Sequence, residues 1–199
     1  ITAEPFPYSA LKIICLIVIA FGCLLRLFEI TQNSFIFYDE GMYLNHNRDL
    51  LLNIQQSPPR NLHEFFIIIK ILFLTALATA KWLWFFVSSI RVFFEGPEMF
   101  YFLRVLSAVS GILTVALTYV FARRLFRSKE IALLSAAVLA VLPSHVFYSR
   151  LAMQESFSTM CLLAGFFFYF SRRNVSYFLL VSAVFFSAVY FTNYRMIVL

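Results

Sequence analysis

The sequence predicts an all-α polytopic membrane protein, and three observations carry that prediction. Of 199 residues, 62% are hydrophobic and 19% aromatic, while only 13% are charged. An ordinary soluble domain is roughly half apolar and about a quarter charged, and a small water-soluble fold could not hide so much apolar surface. Five stretches approach the ~20 apolar residues that a helix needs to cross the ~30 Å hydrocarbon layer. The remaining charges cluster between those stretches rather than inside them.

The first expected span is 10–29, whose apolar run from Leu11 to Phe28 is interrupted only by Arg26. The others are 100–122, 130–148, 154–171, which opens on the polar Gln154 and Glu155, and 176–199. The chain opens on Ile1 and stops inside an apolar run, so it is expected to be the N-terminal part of a longer protein. The 26 Phe residues suit a lipid-facing surface, and 5 Gly are few for tightly packed small-residue interfaces. Cys15, Cys23 and Cys161 lie in apolar runs without ligand spacing and read as small buried hydrophobes.

Residues 30–99 are expected to form an outer loop carrying interfacial helices. Within it, Phe65 to Phe94 is apolar on average, but Lys70, Lys81 and Arg91 leave uncharged runs of only ten and nine residues, too short to span. These cations recur about every three turns, on one side of a helix, and Trp82 and Trp84 are expected as interfacial anchors. One or two amphipathic helices on the membrane surface account for this pattern; a sixth span is the alternative.

Loop charges orient the bundle. Arg123, Arg124, Arg127 and Lys129 lie between the second and third spans, and Arg172 and Arg173 between the fourth and fifth. Five spans put both links on one side, the cytoplasmic side by the positive-inside rule. The loop from Glu29 to Glu64 carries five acids against Arg48 and Arg60 and falls outside.

The non-cytoplasmic ends then collect Arg26, Asp39, Glu40, Arg104, His145, Arg150, Glu155 and Arg195. Ionisable groups near membrane depth are costly and usually face a cavity or a partner. Asp39 and Glu40 form a carboxylate pair within Phe37-Tyr38-Asp39-Glu40-Gly41, which reads either as a solvated loop or as a base that takes a proton from a hydroxyl. The arginines read either as headgroup-snorkelling side chains or as ligands of phosphate oxygens. His46, His63 and Glu64 lack metal-ligand spacing and read as surface residues. His145 follows Pro143-Ser144 and reads as a helix-end residue or a ligand. No nucleotide-binding glycine loop is present.

In this order the residues resemble a known family. The outer-loop Asp39-Glu40 is similar to the start of the polyprenyl-phosphate-sugar-dependent glycosyltransferases with the GT-C fold, among them the protein O-mannosyltransferases and the bacterial lipid A aminoarabinose transferases. Leu103-Arg104-Val105-Leu106-Ser107-Ala108 resembles the family's Arg-Leu-Pro-Ser-Ala segment, and Ala122-Arg123-Arg124-Leu125-Phe126 its second cytoplasmic turn. Leu142-Pro143-Ser144-His145 through Tyr148-Ser149-Arg150 resembles its Pro-x-His-x-x-Tyr-Ser-Arg segment, Glu155 falls where the family has an acid, and Phe191-Thr192-Asn193-Tyr194-Arg195 is similar to its Leu-Thr-Lys segment. Two departures stand out. Ser57-Pro58-Pro59-Arg60 replaces the common His-Pro-Pro-Leu, and the stretch from Phe65 to Phe94 is longer than in many members.

The resemblance implies a GT-C-like transmembrane bundle, with about as many helices again outside this chain. It implies transfer of a monosaccharide from a polyprenyl (dolichyl or undecaprenyl) phosphate to a hydroxyl of a protein, lipid or glycan on the non-cytoplasmic face. By resemblance Asp39 is the base and Glu40 orients the site, and the candidates for the donor phosphate are Arg104, Arg150 and Arg195. Arg26, His145 and Glu155 support the site. The resemblance fixes no cofactor and leaves metal dependence open; a divalent metal ion, if one is used, would fall to Asp39 or Glu155. The expected partners are the lipid donor, the acceptor and the bilayer, with no nucleic acid and the oligomeric state open. The membrane is a bacterial or archaeal plasma membrane or the endoplasmic reticulum. A non-catalytic membrane subunit that keeps the fold is the alternative, and a transporter or flippase component, which calls for midplane charges and broken helices, the third reading.

Overall fold

The computed structural model describes residues 8–30, 41, 45, 48, 49, 52, 56, 58–78, 83, 84, 87, 99–171 and 175–192, and these form helices with no strand among them. The helices are α1 (Tyr8–Leu27), α2 (Leu62–Ala78), α3 (Met99–Phe126), α4 (Lys129–Val141), α5 (Pro143–Arg150), α6 (Gln154–Phe170) and α7 (Val175–Thr192). The protein is an all-α membrane protein.

Two of the described helices are long and apolar enough to cross a bilayer, Ser9–Leu27 and Phe102–Phe126. A third is reached only if α4 and α5 count as one span, and these are bent by 57° at their junction. Pro143 is the reason: it has no N–H to give the carbonyl of Leu139, and its ring disfavours helical geometry at the residue before it. Leu142 accordingly adopts φ −59°, ψ 119°, and Pro143 opens a new helix, where its fixed φ fits. The continuous third helix that the hydropathy suggests is therefore two helices. Ser176–Thr192 is a shorter apolar helix.

Local capping explains several of the other boundaries. Asn61 Oδ1 accepts from the Glu64 N–H at 2.8 Å while the Glu64 carboxylate accepts from the Arg60 N–H at 2.7 Å, a reciprocal cap that starts α2. Glu64, one of the residues weighed as a metal ligand, is committed to this cap. Between α3 and α4, Arg127 takes the left-handed conformation at φ 55°, which reverses the chain. Ser128 then caps α4, its Oγ accepting from the Ile131 N–H at 3.2 Å.

Helix α3 is the centre of the bundle: α1, α4, α5 and α6 all pack on it, while α7 packs on α6. Its buried face is Leu103, Arg104, Ser107, Ala108, Ser110, Gly111, Thr114 and Val115. On α4, Ala132, Ala136 and Ala140 fall four apart, so they form one buried stripe. Close helix approach is thus supplied largely by alanine and serine, which is how a chain poor in glycine still packs tightly. Large apolar side chains turn outward, among them Ile17 at 63% and Leu180 at 65% exposure, as a lipid-facing surface requires. Cys15 and Cys161 are buried, Cys23 is half-buried, and all three are free thiols.

Trp84 departs from its expected place. It is fully buried, packed with Leu103, Ala152, Leu106 and Phe157, its ring 6.0 Å from that of Phe157. Rather than anchoring at the headgroups it plugs the start of α3 against the start of α6, where it removes more apolar area from water than an interfacial position could. Trp82 lies outside the described residues.

Candidate functional site

The end of α1, the start of α3, the broken α4–α5 junction and the start of α6 meet at one end of the bundle, and they bring Arg26, Arg104, His145, Arg150 and Glu155 to that end. Asp39, Glu40 and Arg195, like His46, lie outside the described residues. The opposite end carries the exposed Arg123, Arg124, Arg127 and Lys129 around the α3–α4 turn. These two groups of charges thus lie at opposite ends of the bundle.

Arg26 is the most deeply buried member of the group, with no exposed surface. Its Nη1 donates to the carbonyls of Gly22 and Ala140, both at 2.6 Å, and its Nη2 donates to the Leu139 carbonyl at 3.4 Å and to Nδ1 of His145 at 2.7 Å. The carbonyls of Leu139 and Ala140 are those that lose their helical partners where Pro143 breaks the helix. A guanidinium from α1 therefore caps the C-terminus of α4, with the negative end of that helix dipole facing its charge. Among the described residues no carboxylate pairs with it. The approach depends on two glycines. A methyl on Gly22 would run into the Ala140 carbonyl, and one on Gly111 would run into the Ser149 hydroxyl beside Arg26 Nε.

Arg104 and Arg150 converge on the turn that follows α1. Arg104, 1% exposed, donates from Nη1 to the Ile30 carbonyl at 3.3 Å, and Arg150 donates from Nη2 to the Phe28 carbonyl at 3.0 Å. Both guanidinium groups hold the backbone from which the chain departs toward Asp39 and Glu40. Glu155 is half-buried in the first turn of α6, next to the buried Gln154. Hydroxyls knit these helix ends together. Ser107 Oγ lies 3.2 Å from the carbonyls of both Tyr148 and Met153, and Ser156 Oγ donates to Ser149 Oγ at 3.4 Å. Sequence reasoning gave these serines no role, although Ser107 and Ser149 stand in segments that carry the resemblance, and it passed over Gly22 and Gly111, because small residues in apolar helices carry no chemical signal of their own. Among the described residues no group of three metal-ligating side chains comes together.

Below this polar end a groove of about 450 Å³ runs between α3, α4 and α6. Leu142 and Thr159 border it near the polar end, and Thr118, Ser135 and Phe166 farther along. Thr159 to Phe166 is about two helical turns, or about 10 Å. The hydroxyls of Thr114, Thr118, Ser135 and Thr159 each donate to the carbonyl four residues earlier, at 2.7–2.8 Å. With those donors used internally, the groove presents an almost wholly apolar wall.

The comparison with family models decides the classification. The model of the dolichyl-phosphate-mannose-protein mannosyltransferase family matches residues 42–189. The chain belongs to that family. It is accordingly a membrane glycosyltransferase of the GT-C type, and membership implies a polyprenyl-phosphate sugar donor. The match includes Arg104, His145, Arg150 and Glu155; Arg26, Asp39, Glu40 and Arg195 lie outside it. No curated protein and no solved structure matches the chain.

Proposed function

We propose that the polar end of the bundle binds the phosphate of a polyprenyl-phosphate monosaccharide, and that the sugar passes to a hydroxyl acceptor on the non-cytoplasmic face. One observation carries this reading: Arg104 and Arg150 converge on the turn after α1 at the polar end of the bundle, and the same bundle holds an apolar groove between α3, α4 and α6. A lipid phosphate has both parts, an anionic head suited to guanidinium forks and an apolar chain suited to the groove. Arg150 uses one of its five N–H groups on Phe28, which leaves others to meet phosphate oxygens.

In the transfer, the acceptor oxygen bonds to the anomeric carbon as its proton moves to the Asp39 carboxylate. The bond from that carbon to the phosphate oxygen breaks, and its electron pair leaves with the lipid phosphate. A phosphate monoester is a stable anion, so the site supplies positive charge rather than an acid, and preorganised guanidinium groups stabilise the charge as it develops. A single displacement inverts the anomeric centre. Arg104 and Arg150 hold the turn at residues 28–30, which fixes the root of the segment bearing Asp39 and Glu40, so the same groups serve both ends of the reaction.

The test is transfer from radiolabelled polyprenyl-phosphate sugars by full-length protein. Asp39→Asn should abolish transfer while thermal unfolding is unchanged, and an active Asp39→Asn protein would sink the assignment. Arg150→Lys should retain the fold and lose most donor affinity, because an ammonium cannot fork. The second reading, a non-catalytic subunit with the same fold, is favoured by the bonds of Arg104 and Arg150 to backbone carbonyls, a purely structural use of arginine. It predicts no donor binding by wild type. The broken α4–α5 helix is the feature a transporter would share, but its freed carbonyls are filled by Arg26 and do not line an open ion site.

A further inference from the structure

We propose that His145 is a neutral hydrogen-bond donor to a ligand phosphate oxygen, held in its Nε2–H tautomer by Arg26, which acts as a positioning residue. The proposal rests on the donor-site reading above. A guanidinium has only donors, so the 2.7 Å contact from Arg26 Nη2 requires a lone pair on His145 Nδ1. The proton of the neutral ring then sits on Nε2. The 2.6 Å bonds of Arg26 to Gly22 and Ala140 fix the guanidinium, so the lock is rigid.

His145 Nε2 is buried and has no hydrogen-bond partner among the described residues. A buried, unused N–H is costly, and a native structure that keeps one calls for an explanation. His145 belongs to the same short helix as Arg150, and its partner Arg26 bonds the carbonyls at the broken end of α4. The group is therefore a spare donor at an end of the bundle that gathers Arg26, Arg104 and Arg150 with the carboxylate of Glu155. The ligand chemistry that matches it is an oxygen-rich anion, a phosphate on a lipid or free in solution. With Nδ1 accepting from Arg26 and the proton on Nε2, the ring carries no charge. His145 thus offers a hydrogen bond without adding charge.

Two substitutions separate this role from a structural one. His145→Asn places an amide oxygen near the position of Nδ1, keeping an acceptor for Arg26 and removing the donor at the ε position. His145→Gln does the reverse. Binding is measured on full-length protein in detergent with farnesyl phosphate, and with inorganic phosphate as the arm that separates a lipid headgroup from a free anion. His145→Asn should unfold at the wild-type temperature and bind farnesyl phosphate about tenfold more weakly; His145→Gln should lose thermal stability and keep the affinity of its folded fraction. Nitrogen-15 NMR of labelled histidine should show a protonated Nε2 and a bare Nδ1 for His145. If wild type binds farnesyl phosphate and His145→Asn binds it equally well, or if Nδ1 carries the proton, this proposal is overturned while the donor-site reading stands. If wild type binds neither probe, both fall together.

Discussion

Replacing Arg26 by methionine tests whether the break in the helix after α4 is held from α1. Methionine keeps the length and apolar stem of the side chain and removes the guanidinium. The Gly22 carbonyl keeps its partner inside α1, the N–H of residue 26, and the Leu139 carbonyl keeps the N–H of Leu142 at 3.4 Å. The Ala140 carbonyl and His145 Nδ1 lose their short bonds of 2.6 and 2.7 Å. Two buried acceptors left unsatisfied cost about 1–3 kcal/mol each, or about 2–6 kcal/mol together. Against this stands the penalty for burying a guanidinium with no carboxylate among the described residues, which methionine removes. The net loss is expected near 2–4 kcal/mol, which at about 2–4 °C per kcal/mol for a chain of this size lowers the midpoint by roughly 4–16 °C. Thermal unfolding of full-length protein in detergent reads the effect directly. Arg26→Lys should fall between the two, because one ammonium keeps the charge but cannot reach both the α4 carbonyl and the imidazole. A midpoint for Arg26→Met equal to that of wild type would refute the capping argument.

Further outcomes follow from the packing. Gly111→Ala should destabilise the bundle by about 1–3 kcal/mol through overpacking, and adding Ser149→Gly should recover a large part of that loss, since the collision is with the serine side chain; additive effects in the double mutant would show that the two do not touch. Trp84→Ala should cost about 3–5 kcal/mol as a core truncation, whereas an interfacial anchor would tolerate it with little change in midpoint. Arg127→Gly should raise stability modestly, by about 1 kcal/mol, because the left-handed backbone there suits glycine, and the same unfolding assay would record it.

The class of the protein was legible in the residue types alone. Transfer energies decide that a chain 62% hydrophobic and 13% charged belongs in a bilayer, and an excluded charge marks helix ends wherever the helices go. Arg26, Arg104, His145, Arg150 and Glu155 could be placed at one end of the bundle from span counting, because a helix that crosses the membrane returns its polar residues to alternate faces. The segments around Arg104 and from Leu142 to Arg150 also carried the family resemblance, which the family match over residues 42–189 shows. What those side chains bond to was not legible. Hydropathy averages over a window and so reads through Pro143, which removes one donor and bends the helix by 57°. Only packing decides that the freed carbonyls meet Arg26 from a helix more than a hundred residues earlier, and that two glycines leave room for the approach. Trp84 makes the same point: its composition suits either an interface or a core, and the neighbours that settle the matter come from α3 and α6. The sequence determines the solvent, the class and the cast of polar groups; the tertiary structure alone decides which of them face one another, because hydrogen bonds are short and directional while hydrophobic transfer is neither.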